Sequence, residues 1–408
     1  MDYTSTFDHT PERIGTGSEK WDALHKHFGK EDIIPLWIAD MDFAAPLPVQ
    51  EAIRQRIEHG VLGYTFRTDE YHQSIVNWME RKHQWTIEND WIVFTPGVVS
   101  ALNFAVQTYT EPGDKVIIQT PVYPPFYNVV KGHGRELVEN PLMQDQYGDY
   151  RMDLEQLETV LDEQVKMLIL CNPHNPIGRV WTRTELEQLE HLCAKWNIIV
   201  VSDEIHGDLV YAPHAHIPYA SLSESAMNRS IICTAPSKTF NIAGMNTSNI
   251  IIPNEQLRNA FALKINQFGV GQINTFGAVA TQAAYTYCEE WLEQCKVYTY
   301  RNMEYVQQYI ATHIPELAVR LPEATYLLWI DCSKLRMEQL DLVSFLLDHA
   351  KIALNDGNAF GITGQGYMRM NIACSRSLLE KAMERLHHAI KTWRATQAVT
   401  TTSHMNNE

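Results

Sequence analysis

From Asp90 to Ile252 the chain alternates short apolar runs with amphipathic stretches, and that alternation predicts a parallel sheet joined by helical crossovers. Strands are expected at Trp91–Phe94, Lys115–Gln119, Arg135–Glu139, Lys166–Cys171, Ile198–Ser202, Ile231–Thr234 and Asn249–Ile252. Between them, Val98–Tyr109 and Asp153–Leu161 read as helices, and Thr182 with Glu185 has the spacing of a capping box opening another. The pattern implies one large open α/β sheet.

The flanks read differently. Met1–Asp42 is an irregular arm rich in turn formers. Prolines at 46 and 48 lead into a helix over Val49–Glu58 that Gly60 stops, and a second helix is expected from Asp69 to Lys82. After Thr275 one long helical stretch, Ala278–Ile310, leaves the sheet. Strand signals at Tyr326–Ile330 and Tyr367–Asn371 then enclose a helix near Leu340–Ala350, and Leu378–Trp393 is a last amphipathic helix. The expected organisation is an arm over 1–45 joining a small domain, a large domain over 46–285, the small α+β domain over 286–395, and a disordered tail over 396–408.

Composition narrows the function. A chain of 408 residues exceeds one small core, and 33 basic against 49 acidic residues, a formal charge of -16, disfavour a nucleic-acid partner. The start, MDYTSTFDHTPERIG, lacks a basic then apolar leader, and no uninterrupted apolar run reaches the ~18 residues of a membrane span. No membrane partner is expected, and the expected location is the cytoplasm. The 7 cysteines, from Cys171 to Cys374, contain no CxxC pair, which argues against a disulfide framework and a zinc ribbon.

The polar residues with chemical promise fall at strand ends, where open parallel sheets bind ligands. Ser230–Asn249 delivers Lys238 from a β-branched strand into a polar turn, and a desolvated lysine is the nucleophile that carries pyridoxal phosphate (PLP). Thr95-Pro96-Gly97-Val98-Val99 stands between strand and helix, where free amides and the helix dipole suit a phosphate. Asn175, between two prolines after Cys171, is an uncharged donor for a phenolate oxygen. Asp203 is placed to keep a pyridine nitrogen protonated, with His206 three residues on as a second polar contact. Metal alternatives, Asp40 with Asp42, the Asp203–His206 stretch, and His214 with His216, lack a third ligand at a conventional spacing; for Asp40 and Asp42 a cap or turn is expected instead.

Taken in order, Tyr123, Asn175, Asp203, Ser237-Lys238 and Arg369 resemble the fold type I, class I/II aminotransferase superfamily of PLP enzymes. The wording PLWIADMDF, TPGVV, NPHNPIGRVW, SDEIHGDLVY and APSKTFNIAGM resembles its MalY/PatB branch of cystathionine β-lyases and related carbon–sulfur lyases, over nearly the whole chain except the tail. The resemblance implies that Lys238 holds PLP and then acts as base, that Asp203 pairs with the pyridinium, and that Asn175 donates to the phenolic oxygen. It implies that Tyr123 lies flat on the ring and that Gly97, Val98, Val99 and Ser237 wrap the phosphate, with Tyr64 reaching in from a second subunit of a homodimer. It implies, too, that Arg369 grips the substrate carboxylate as a two-pronged donor. Three positions depart from the wider pattern: Asn246 replaces an arginine eight residues after the lysine, Ala235 replaces a serine or glycine, and His206 replaces a tyrosine.

The implied reaction is α,β-elimination of a thiol from an L-cysteine conjugate, with L-cystathionine favoured. The alternative is transamination of an L-amino acid, and spacing alone does not separate the two. A purely regulatory use of the fold leaves the set Lys238, Asp203 and Arg369 without a purpose.

Overall fold

The computed structural model describes residues 4–146 and 148–405. The described residues divide into two compact units: 45–296 with 322–325, and 4–44, 297–321 and 326–405.

The first unit is built on a seven-stranded sheet of β1 (Ile92–Thr95), β2 (Lys115–Thr120), β3 (Glu136–Pro141), β4 (Val165–Cys171), β5 (Ile199–Asp203), β6 (Ser230–Thr234) and β7 (Ser248–Ile251), in the order β1-β7-β6-β5-β4-β2-β3. Only β7 runs against its neighbours. The carboxyl ends of the other six therefore share one edge with the start of β7. The central strands are buried on both faces, which is why they read as continuous apolar runs: Met167, Leu168, Ile169 and Leu170 of β4 and Val200 and Val201 of β5 are all at most 1% exposed. The helix Val98–Tyr109 lays Ala101, Leu102, Ala105 and Val106 on the sheet.

Every expected strand of this sheet is present within two residues, and Thr182 and Glu185 form the capping box reciprocally. Two features differ from expectation. A helix at Pro125–Gly132 opens on two prolines, Pro124 at its cap and Pro125 at its first position, where the amides need no helical partner. The stretch expected as one helix over Ala278–Ile310 is two, Thr275–Tyr287 and Glu289–His313. Cys288 leaves helical geometry at φ -109°, ψ 16° between them, and Glu289 and Glu290 then favour a new N-terminus.

The second unit carries an antiparallel sheet of β8 (Ala318–Val319), β9 (Leu327–Asp331), β10 (Asn355–Asp356) and β11 (Tyr367–Asn371), ordered β8-β9-β11-β10. The arm is tied into it by Asn371, whose amide nitrogen donates to the Ile38 and Asp40 carbonyls at 2.7 Å. Asp40 and Asp42 serve neither as a cap nor as a turn. Arg13 bridges them at 2.6 and 2.8 Å, and the fully buried Lys20 meets Asp42 at 2.9 Å, so the acids are partners for cations that the arm buries. The last helix runs from Arg376 to Met405, through most of the segment expected as a disordered tail.

Candidate active site

The site grows from strand register. Cys171 pairs with Asp203 and Asp203 with Cys233, so the ends of β4, β5 and β6 are level. Thr234 pairs with Asn249, and Ser248 with Thr95, extending the same line to β1. Residues just beyond these positions meet at one edge, each strand about 4.8 Å from the next. They are the residues singled out from the sequence: Asn175, Asp203, Ser237, Lys238 and Gly97.

Asp203 closes β5 and is 5% exposed. Burial pushes its carboxyl up to about 7, against the downward pull of the Ile205 amide, which donates at 3.2 Å, and of the Lys238 ammonium. Past β6, Ala235 is extended and Pro236–Thr239 makes a single turn that carries Ser237 and Lys238, both half-buried. The Ile242 amide donates to the Ser237 carbonyl at 3.1 Å and closes the loop. Lys238 lies in the turn after the strand rather than at its buried end.

Gly97 caps the helix Val98–Tyr109 at φ 125°, where a side chain would be strained although the space beside it is open. The first intrahelical bond, Ala101 amide to Gly97 carbonyl at 3.2 Å, leaves the Val98 and Val99 amides without a helical partner, and no acidic residue stands in that first turn. Thr95 shares its hydroxyl with Ser248 at 2.6 Å and with the Gly97 carbonyl at 3.0 Å, fixing the approach to the cap. Asn175 is 3% exposed, and its amide donates to Cys171 Sγ at 3.4 Å. Tyr123 is half-buried with its ring edge-on to Phe126, and His206 is buried.

Two candidates stand elsewhere. Tyr64 is 99% exposed on the stretch 59–68, with Val61, Leu62 and Phe66 exposed beside it, so within one chain it contributes nothing to this cluster. Arg369, on β11 of the second unit, is 4% exposed; its guanidinium donates to Asn355 Oδ1 at 2.6 Å and the Trp37 carbonyl at 3.2 Å and lies 4.9 Å from the Phe360 ring centre. Asn246 is exposed at φ 49°, a left-handed backbone that asparagine tolerates and arginine disfavours, which accounts locally for the residue that stands there. Among the described residues no group of three or more His, Cys, Asp or Glu is arranged to hold a metal ion.

The first unit's residues fit PLP. A carboxyl whose ionised form burial disfavours gains a cationic partner in a pyridinium N–H, and a glycine-capped helix start with open space beside it suits a phosphate.

Sequence and structure comparisons agree with that fit. A protein described as cystathionine beta-lyase PatB, from Bacillus subtilis (strain 168), is 42% identical over 94% of this chain and 99% of its own. The crystal structure of cystalysin from Treponema denticola, which contains a pyridoxal 5'-phosphate cofactor, superposes with a TM-score of 0.92 at 37% identity, covering 95% of this chain and 99% of the other. A PLP-bound C-S lyase from Staphylococcus hominis gives 0.85 at 32% identity, covering 94% and 98%. The sequence profile described as aminotransferase class I and II matches residues 31–386, and the chain belongs to that family.

Proposed function

We propose that this protein is a PLP-dependent carbon–sulfur β-lyase that removes a thiol from L-cystathionine or a related L-cysteine S-conjugate, leaving an aminoacrylate that water converts to pyruvate and ammonia. The observation that carries the reading is the near full-length 42% identity to a cystathionine β-lyase. PLP, when bound, supplies an electron sink for the pair left at the substrate's Cα.

The chain's own residues do the rest. Lys238 would hold the cofactor covalently at rest and, with its amine free, would take the substrate's Cα proton on Nζ. Asp203 keeps a proton at the pyridine nitrogen, and Asn175 donates to the phenolic oxygen, with His206 as a further polar contact. Tyr123 packs on the ring face. The Val98 and Val99 amides beyond Gly97, together with Ser237, hold the phosphate. Arg369, in the second unit, is assigned to the substrate carboxylate as a bidentate donor. Sulfur then leaves Cβ with the electrons of the C–S bond.

Tyr64 and the apolar residues around it suit a second copy of the chain, with Tyr64 completing its partner's phosphate site; the enzyme is then a homodimer. A fully active monomer in sedimentation would contradict that assignment. All seven cysteines are buried thiols outside any disulfide, which suits a reducing compartment, and no described helix is long and apolar enough to cross a membrane. We place the enzyme in the cytoplasm.

Transamination would share the proton transfer from Cα to Lys238 and would differ in passing the amino group to a keto acid rather than releasing a thiol. Asn246 in place of an arginine and the names of the relatives favour elimination. The deciding assay supplies L-cystathionine and no keto acid. Steady release of thiol and pyruvate is expected; turnover that requires a keto acid acceptor would establish the transaminase reading instead.

A further inference from the structure

Asp203 and Lys238 are each followed in sequence by a residue bonded into a second, buried polar layer. After Asp203 comes Glu204, 3% exposed. Its Oε1 accepts from the Ser202 hydroxyl and the Tyr219 amide, both at 2.8 Å, and its Oε2 meets His216 Nε2 at 2.8 Å. After Lys238 comes Thr239, fully buried, whose hydroxyl donates to Asp208 Oδ2 at 2.7 Å. Asp208 Oδ1 accepts from Trp78 Nε1 at 2.9 Å and meets His83 Nε2 at 2.8 Å. The two histidines touch edge to face, ring centres 5.2 Å apart at 84°. Gly207 makes room for this: a Cβ there would come within 2.9 Å of His216 Cδ2.

Two carboxylate–histidine pairs buried side by side add little net stability compared with apolar packing of the same volume, because desolvation offsets their attraction. With each carboxylate held by three partners, they do fix geometry, although His216 Nδ1 has no hydrogen-bond partner among the described residues. None of these side chains belongs to the cofactor-binding set described above, yet the layer is bonded to the neighbours of both its charged members.

We propose that Asp208 with His83, and Glu204 with His216, form a positioning layer for PLP. Asp208 acts through the Thr239 hydroxyl on the turn that presents Lys238, and Glu204 acts through Ser202 and the Tyr219 backbone on the strand end that presents Asp203. The histidine contact joins the halves, so the amine and the carboxylate are held at one mutual spacing. The inference rests on the assignment of Lys238 and Asp203 to PLP, but not on which reaction follows.

The test needs no substrate. PLP is titrated into the apoprotein of the parent and of Thr239→Val, Thr239→Ser and Asp208→Asn, and the absorbance of the bound cofactor is followed against pH. Thr239→Val keeps the shape and leaves a buried carboxylate oxygen unsatisfied. It and Asp208→Asn are expected to weaken PLP binding about tenfold or more and to move the chromophore's pH midpoint by about one unit, while Thr239→Ser stays within about threefold of the parent. Should Asp208→Asn fail to fold, the contrast of valine with serine at 239 decides alone. Affinity and midpoint unchanged in Thr239→Val would overturn the layer, as would a change confined to the apoprotein's thermal midpoint. A parent without a borohydride-trapped adduct at Lys238 would instead remove the functional assignment.

Discussion

Replacing Asp203 by asparagine should stabilise the cofactor-free protein while weakening its hold on PLP. Burial raises the Asp203 carboxyl from the ordinary 3.8 to about 7, with the Ile205 amide and Lys238 pulling the other way. At about 1.4 kcal/mol per unit, a shift of that size corresponds to about 4 kcal/mol against the ionised form. The folded pKa lies above the unfolded one, so between these two values the folded state binds more protons. Stability therefore falls as pH rises through that window, and the penalty is complete above about pH 7. Asparagine has no charge to desolvate, so the Asp203→Asn apoprotein should exceed the parent by up to about 4 kcal/mol at pH 8, the gain shrinking towards pH 4. With PLP present the order reverses, because in the parent a pyridinium partners the carboxylate and in the variant nothing holds that proton. The variant should bind PLP less tightly and lose about 10³-fold in kcat. Denaturant unfolding of both apoproteins at pH 5 and pH 8, beside PLP titrations, reads each effect. An apoprotein that gains no stability over the parent between those pH values would refute the claim that burial governs Asp203.

The other assignments make separate predictions. Lys238→Ala should show no borohydride-fixed adduct by mass spectrometry and no measurable thiol release from cystathionine. Arg369→Lys keeps the charge and loses the fork, so KM should rise about 10-fold to 100-fold with a smaller effect on kcat, read from initial rates. Gly97→Ala places a side chain at φ 125° with room around it, so its effect is backbone strain of about 1 to 3 kcal/mol at the phosphate cap. PLP affinity should fall while affinity for phosphate-free pyridoxal stays near the parent value in parallel titrations.

The large sheet was legible because its strands are buried on both faces and so stand out as apolar runs; the helix over Val98–Tyr109 and the strand over Tyr367–Asn371 fall where periodicity put them. The break at Cys288 was not legible, since no glycine or proline marks it. The polar layer was invisible for a different reason. Asp208 meets Trp78 and His83 across 130 and 125 residues, and no local spacing encodes such a contact. Its one sequence signal was the density of charge in Asp203, Glu204 and Asp208 within a stretch otherwise destined for the interior. Asp40 and Asp42 misled in the same way, because their partners Arg13 and Lys20 lie in an arm with little periodicity to read.

Asp203 and Glu204 have the same charge, stand side by side, and have opposite surroundings, and strand geometry explains how. Side chains alternate along β5, so Ser202 and Glu204 share one face, as their 2.8 Å hydrogen bond records, and Asp203 takes the other. On its face Glu204 is fully satisfied by a hydroxyl, an amide and an imidazole. Asp203 has one backbone amide at 3.2 Å, and burial raises its carboxyl to about 7. An acid so sparsely bonded gains most from a cationic N–H, whereas three hydrogen-bond partners already hold its neighbour still. A register shift of one residue in β5 would exchange the two faces and take Glu204 away from its hydroxyl, amide and imidazole partners. The pairing of Leu170 with Ser202 and of Cys171 with Asp203 is thus what separates an acid that can tune a cofactor from one that holds the frame around it.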